Sequence, residues 1–150
     1  MSVTAIADII ASMESEIALE YPTYGELAYK EDVAKNSSNT IDEKYGVRAL
    51  AASQLPGVTK NVTLNQEFEV ILTKKYNQAI VDDSSQRSVA EDLRAKHLCI
   101  YKRLINGKAG LPGTVLNVTD LILSEPEYGA DDKVVIQRAS MNIQYRFSLI

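Results

Sequence analysis

The 150-residue chain has little of the chemistry on which most catalytic and metal sites depend. Its single cysteine, Cys99, excludes an internal disulfide and any zinc or iron–sulfur site built from several cysteines, and histidine also occurs only once, as His97. No apolar run exceeds four residues, whereas a bilayer span needs roughly 18. No base precedes Lys30, which is unlike a secretory signal peptide. These absences predict a soluble domain made in the cytosol, without a membrane span.

Charge is distributed unevenly along the chain. Residues 1–43 carry nine acidic and two basic side chains, a net charge of −7, and residues 44–150 carry eleven acidic and fourteen basic ones, a net charge of +3, which together give the overall −4. A sequence-readable nucleic-acid binder has a basic cluster strong enough to dominate its domain. Here the basic excess is small and spread out, which argues against tight DNA binding but allows DNA to pass nearby without sticking.

Apolar periodicity predicts two main helices in a single domain of residues 1–150. Residues 2–21 align one narrow apolar face, made of Val3, Ile6, Ile10, Met13, Ile17 and Tyr21. Leu19 lies nearly opposite that face. Residues 83–105 form the second helix, with an apolar stripe of Val89, Leu93, His97, Ile100 and Leu104. Its opposite face carries Arg87, Glu91, Arg94 and Lys102, with Leu98 among these charges.

Alternation with a period of two predicts the strands. Three of them, at 41–51, 58–64 and 66–76, precede the second helix, and two, at 114–124 with a bulge near Asp120 and at 138–149, follow it. The last strand would be near 40 Å long at about 3.3 Å per residue, so part of it is expected to pair with another chain. The order α-β-β-β-α-β-β predicts an α+β fold, a largely antiparallel sheet with two main helices packed on it.

Residues 22–43 lack clear periodicity, and a connection of this length is usually functional or mobile. It contains Tyr24 and Tyr29, a residue type that anchors protein interfaces. The two interpretations, a contact surface and a mobile surface loop, stay open here.

Neither the carboxylates nor His97 form a recognisable catalytic arrangement. Adjacent acids do not face each other on a helix or strand, so caps or solvated turns explain Asp82-Asp83, Glu91-Asp92 and Asp131-Asp132. A divalent cation that bridges subunits is an alternative for the last pair. His97 lies on an apolar stripe and is expected in the core or at its edge, with Cys99 pointing elsewhere. We therefore assign no catalytic, cofactor-binding or metal-binding residue.

Several surface features are typical of contacts with other protein chains. They are the tyrosines of the acidic loop, apolar residues on polar helix faces, the charged side of the second helix and the acidic turn before the last strand. The candidate subunit or partner interface residues are Leu19, Tyr24, Tyr29, Arg87, Arg94, Leu98, Lys102, Asp131 and Asp132. An ordinary monomer is the alternative.

The order of elements and three segments resemble the tail terminator proteins of long-tailed bacteriophages. The segments are Phe68-Glu69-Val70-Ile71-Leu72, a break at Asp82-Asp83 followed by a helix with Arg94, and Ala139-Ser140-Met141-Asn142-Ile143-Gln144-Tyr145-Arg146. The likeness covers the chain from Tyr45 onward and the leading helix, as a pattern of residue type and order.

This resemblance implies a structural virion protein without enzymatic activity, cofactor or membrane. Copies of the chain form a ring, most often a hexamer, that caps the last ring of tail tube protein, ends its polymerisation and offers its other face to a head completion protein. DNA passes through the lumen without specific binding, which agrees with a mildly acidic chain that lacks a basic stripe. The ring is assembled in the host cytoplasm and belongs to the tail and neck of the virion.

Three alternatives stay open. The first is a head completion or adaptor protein of the same neck, which would bind the capsid connector. The second is a small α+β enzyme that uses His97 and a carboxylate from Asp82, Asp83, Glu91 or Asp92. The third is a monomeric ligand-binding domain with a closed apolar pocket.

Overall fold

The structure, a computed structural model, describes residues 5–36, 41–55, 61–76, 83–106, 110–112, 115–129 and 134–148. In chain order the elements are α1 (Ala5–Glu20), β1 (Gly25–Glu26), a 3-10 turn (Val33–Lys35), β2 (Lys44–Leu55), β3 (Asn61–Lys75), α2 (Asp83–Ile105), β4 (Val115–Leu123), β5 (Glu127–Tyr128) and β6 (Val134–Ser148). This is the α+β fold that the sequence predicts, in the order α-β-β-β-α-β-β with the two-residue β5 in addition. No helix in these ranges is long and apolar enough to cross a membrane.

The six strands form one sheet in the order β1-β2-β3-β6-β4, with β5 paired to β6. Only the short pair β1–β2 is parallel. β6 pairs with β3 over all 15 residues, from Asn61–Ser148 to Lys75–Val134, and its other edge carries β4 and β5. β3 pairs with the whole length of one edge of β6, and β4 and β5 cover most of the other edge. The expectation that a stretch of this strand is left to pair with another chain is therefore wrong along these paired stretches.

The strands before α2 differ in detail from the sequence pattern. The described parts of the segments predicted at 58–64 and 66–76 form one strand, β3, from Asn61 to Lys75, with residues 58–60 outside the described residues, and the unpredicted β1 supplies the third strand of the order. β3 continues past Asn65 because Gln66 is buried, and its side-chain amide donates to the carbonyls of Leu50 and Ala51, 2.8 and 3.2 Å away, at a register shift in β2. The bulge predicted near Asp120 is present in β4, where that residue has φ +60° and the register shifts.

The helix face of the sheet holds the main core. α2 has the predicted bounds, and Leu93, His97, Ile100 and Leu104 of its stripe are at most 1% exposed. α1 is rotated from the predicted face, because it buries Ile9, Met13 and Ile17 and leaves Ile6 38% exposed. Ile9 has the same four-residue spacing to Met13 as Met13 has to Ile17, so periodicity alone did not fix the rotation. In this orientation Arg103 of α2 pairs with Glu16 and Glu20 of α1.

The opposite, outer face of the sheet has a second apolar cluster, which the strand pattern did not predict. Leu27, Val33 and Ile41, from the connection 22–43, pack against Ile71 of β3 and Val134 of β6. β3 is therefore buried on both faces here. The connection is thus largely packed on the sheet, with its own short strand and 3-10 turn.

The rotation of α1 gives a direct test with two isoleucines on the same helix. We expect Ile9→Ala to lower the free energy of unfolding by about 3 kcal/mol, since it empties a fully buried site. Ile6→Ala, at a site 38% exposed, should cost less than about 1 kcal/mol. Urea denaturation of both variants measures the difference; equal losses would contradict the rotation.

Candidate interaction surfaces

The outward side of α2 forms the first candidate surface, which we call the helix surface: Arg87, Arg94, Leu98, Lys102 and Ile105. At 100° per residue these side chains share one side of the helix. Leu98 is 52% and Ile105 42% exposed, although both are large and apolar. Arg94 donates to the carbonyl of Ser124 at 3.0 Å, which places this side of α2 next to the end of β4. Lys96 and Arg103, which contact α1, lie on the other side of α2.

The second candidate surface belongs to the connection beside β1, and we call it the loop surface: Tyr29, Glu31 and Asp32. Tyr29 is 53% exposed, and the Glu31 side chain is 78% exposed with a single long contact of 3.5 Å to Arg48. The loop is held from within by Asn36, whose amide nitrogen donates to the carbonyls of Tyr29 and Val33, both at 2.9 Å. A defined backbone therefore presents these exposed side chains.

Tyr24 does not belong to this surface. Its ring is only 7% exposed and lies in the main core, with its centroid 6.0 Å from that of Tyr21. Burial raises the pKa of the Tyr24 hydroxyl well above its ordinary value. The expectation that Tyr24 anchors a partner from the surface is corrected, because the connection folds back on the sheet and turns this ring inward.

Leu19 of α1 is 66% exposed and lies at one side of a shallow groove of about 250 Å³. Gly110 forms the other side with φ +71°, and a Cβ there would lie 2.6 Å from the Glu16 carboxylate. Glu16 in turn accepts a hydrogen bond from Arg103 at 3.0 Å. Glycine is required at this position both for its backbone conformation and for space.

A buried ion cluster on the outer face of the sheet connects both edges. One oxygen of Glu69, a residue 9% exposed, accepts hydrogen bonds from Arg48 at 2.7 Å and from Arg138 at 2.9 Å. Arg48 then reaches Glu31 of the loop surface, and Arg138 donates to Glu127 of β5 at 3.1 Å. Glu69 thus sits between two guanidinium groups.

The cluster predicts unequal effects for two similar substitutions. Glu69→Gln removes the charge that both arginines share and should lower the free energy of unfolding by about 2 kcal/mol, less than for a fully buried pair because the arginines are partly solvated. Glu127→Gln, at the solvent-exposed end, should cost less than about 0.5 kcal/mol. Thermal or urea denaturation separates the two values. A loss at Glu127 as large as that at Glu69 would be inconsistent with this account.

His97 occupies a polar position inside the core. Its Nε2 lies 2.9 Å from the carbonyl of Gln137, and since a carbonyl only accepts, Nε2 carries the hydrogen. Its Nδ1 has no hydrogen-bond partner among the described residues. Burial, reinforced by the charge of Arg94, lowers the pKa of His97 to about 4 despite the bond to Gln137. This is the core histidine that the sequence predicts.

The buried imidazole makes stability depend on pH. Because the folded chain favours the neutral ring, His97 contributes stability that is fully present above pH 6.5 and is lost as the pH falls toward 4. We expect this loss to reach about 3 kcal/mol across that window. His97→Gln keeps a donor near the Gln137 carbonyl without a titrating group. Subtracting the pH profile of its stability from that of the unmodified chain removes the contributions of the carboxylates, which both proteins share. Superimposable profiles of the two proteins, from urea midpoints at each pH, would refute the assignment.

Two candidate acid–base partners of His97, Glu91 and Asp92, are not brought to it, and the side chain of Asp83 lies outside what the structure describes. Glu91 and Asp92 are exposed on other sides of α2, and Asp92 pairs with Lys96 at 2.6 Å. Asp82, Asp131 and Asp132 lie outside the described residues, so their roles as partners or bridging ligands stay predictions. In the described ranges no three metal-ligating side chains come together, and Cys99 is exposed, away from the buried His97.

Two exposed apolar residues escaped the sequence reasoning although their signals were present. Ile105 is seven positions after Leu98 and thus on the same side of α2. Ile122 is 60% exposed because the β4 bulge shifts the alternation by one residue.

No family model and no curated protein matches this chain. Function is therefore inferred from its own fold and surfaces.

Proposed function

We propose that this chain is a structural protein of a bacteriophage neck that caps the tail tube as an oligomeric ring. The observation that carries the proposal is the exposure of large apolar side chains on two separate surfaces, Leu98 with Ile105 on one and Tyr29 on the other. Exposed apolar groups bordered by charges are typical of protein–protein contacts. The α+β fold and its order of elements agree with the resemblance to tail terminators.

The placement of these surfaces favours a ring over a two-fold dimer. The loop surface lies beside β1 and the helix surface beside β4, and these strands form opposite ends of the sheet order. Contacts between two different patches are heterologous, and such contacts close into a ring when the rotation between neighbours allows it. A hexamer is the proposed size, after the resemblance.

The proposed partners follow from this role. One face of the ring binds the last ring of tail tube protein and ends polymerisation, and the other face receives a head completion protein. DNA passes through the lumen without specific binding, which suits a chain of net charge −4. Assembly takes place in the host cytoplasm, and the ring becomes part of the virion.

Purified tail tube protein gives the test. Added during polymerisation, the chain should shorten the tubes and leave a ring on one end, visible by negative-stain microscopy. Leu98→Glu should lose this effect, because it places a charge in an apolar contact. Thr23→Glu adds the same side chain at an exposed site outside both surfaces and should cap normally.

Two results would contradict the proposal. Tubes of unchanged length without end rings would remove the capping function. Binding to the capsid connector instead of the tube end would favour a head completion protein.

A further inference from the structure

The two candidate surfaces carry opposite charge. Arg87, Arg94 and Lys102 surround the exposed Leu98 on the helix surface, and among the described residues Glu91 is the one acid on that side of α2. On the loop surface, Glu31 and Asp32 follow directly after Tyr29 and Lys30.

Two bases near the loop surface have closer carboxylate partners elsewhere, and one of them, Arg48, lies 2.7 Å from Glu69 but 3.5 Å from Glu31. Lys30 is engaged by Glu14 at 2.6 Å and by Glu26, so it does not neutralise Glu31 or Asp32. Lys35 ends the 3-10 turn that Asp32 precedes. An acidic patch with an aromatic ring and a basic patch with aliphatic side chains are therefore complementary in charge and in apolar content.

The irregular backbone of β4 disfavours a different mode of association, the addition of a strand from another chain. β4 is the last strand of the sheet order, but its register shifts twice, and Asp120 in the second shift has φ +60°. Bulges of this kind protect an edge strand from continuous pairing. A partner at this edge is therefore expected to bind through side chains, which the helix surface supplies.

We infer that the loop surface of one copy of this chain docks on the helix surface of the next copy. Tyr29 packs against Leu98 and Ile105, while Glu31 and Asp32 pair with Lys102 and Arg87. This inference rests on the proposed function, because it takes the partner of each surface to be a second copy of the chain. It adds which two surfaces meet and that their opposite charges guide the contact. Every copy uses each surface once, so the contact propagates from copy to copy until a ring closes.

Two double variants block one surface each. Glu31→Lys with Asp32→Lys blocks the loop surface, and Arg87→Glu with Lys102→Glu blocks the helix surface. Both should fold, because Asp32 makes no side-chain capping bond to its turn. Arg87 and Lys102 are exposed, without a hydrogen bond or ion pair to the described residues. Circular dichroism checks this, and the amide pairs Glu31→Gln with Asp32→Asn and Arg87→Gln with Lys102→Gln replace any variant that does not fold.

Light scattering after size exclusion gives an outcome specific to this arrangement. The unmodified chain should exceed its 16.6 kDa monomer mass increasingly with concentration, while either variant alone should stay at 16.6 kDa. An equimolar mixture of the two variants should regain association beyond twice that mass, because the intact loop surface of one variant matches the intact helix surface of the other, and their two reversed surfaces match each other in sign. Self-association of a single variant would show a symmetric contact and overturn the inference, as would an unmodified chain that is monomeric throughout.

Charge dependence is measured separately. The chain that carries all four reversals has both surfaces exchanged in sign and should regain self-association. Raising ionic strength tenfold should weaken association of the unmodified chain by about tenfold. The control is Arg146→Glu, at an exposed site near the end of β6. It changes the net charge as much as one helix-surface reversal does, and it should leave association unchanged. If Arg146→Glu weakens it equally, overall charge and not the matched surfaces is responsible.

The tail-tube assay separates failure of this contact from failure of the proposed function. If both blocked variants cap tubes as well as the unmodified chain does, the inferred contact is contradicted and the proposed function stands. Rings that form as described but ignore tube ends contradict the function and leave the contact standing.

Discussion

The antiparallel pairing of β3 with β6 is the constraint on which the rest of the molecule depends. Fifteen consecutive residues of each strand face one another, so register is fixed along the whole length and every side chain is assigned to one face. On one face, Phe68 and Met141 meet both helices in the main core, and on the other, Ile71 meets the connection 22–43. A shift by one residue would exchange these two environments. The pairing therefore determines where each helix and loop can pack.

The outer face shows how one sheet positions two distant surfaces. Glu69 in the middle of β3 binds Arg48 toward β1 and Arg138 toward β5, and those arginines reach Glu31 and Glu127. The loop surface is thus connected to the centre of the sheet by charge as well as by the apolar contacts of Leu27 and Val33. A segment held at several points can present exposed side chains in one arrangement, which lowers the entropy cost of binding.

The sequence was informative wherever one interaction dominated. The α2 stripe, the β4 bulge and the long last strand follow from local periodicity, and the structure confirms them. The rotation of α1 could not be predicted, because Ile6, Ile9 and Ile10 allow neighbouring faces and the choice between them depends on packing against elements distant in sequence. Tyr24 was placed at the surface for a similar reason, since its burial depends on the connection folding across a sheet that local patterns do not reveal. The exposed Leu19, Tyr29 and Leu98 were found because each breaks the polarity of its surroundings.

Several polar groups inside the domain hold its elements together. Gln137 accepts from His97 through its carbonyl and donates through its side chain to the carbonyl of Ser124 at 2.6 Å. Arg94 of the helix surface donates to that same carbonyl from the outside. The Ser124 carbonyl at the end of β4 therefore accepts from Arg94 of the helix surface and from Gln137, whose own carbonyl accepts from the buried histidine. A partner carboxylate that draws Arg94 away leaves Ser124 with its inner bond, so docking can reorient this guanidinium without exposing the core.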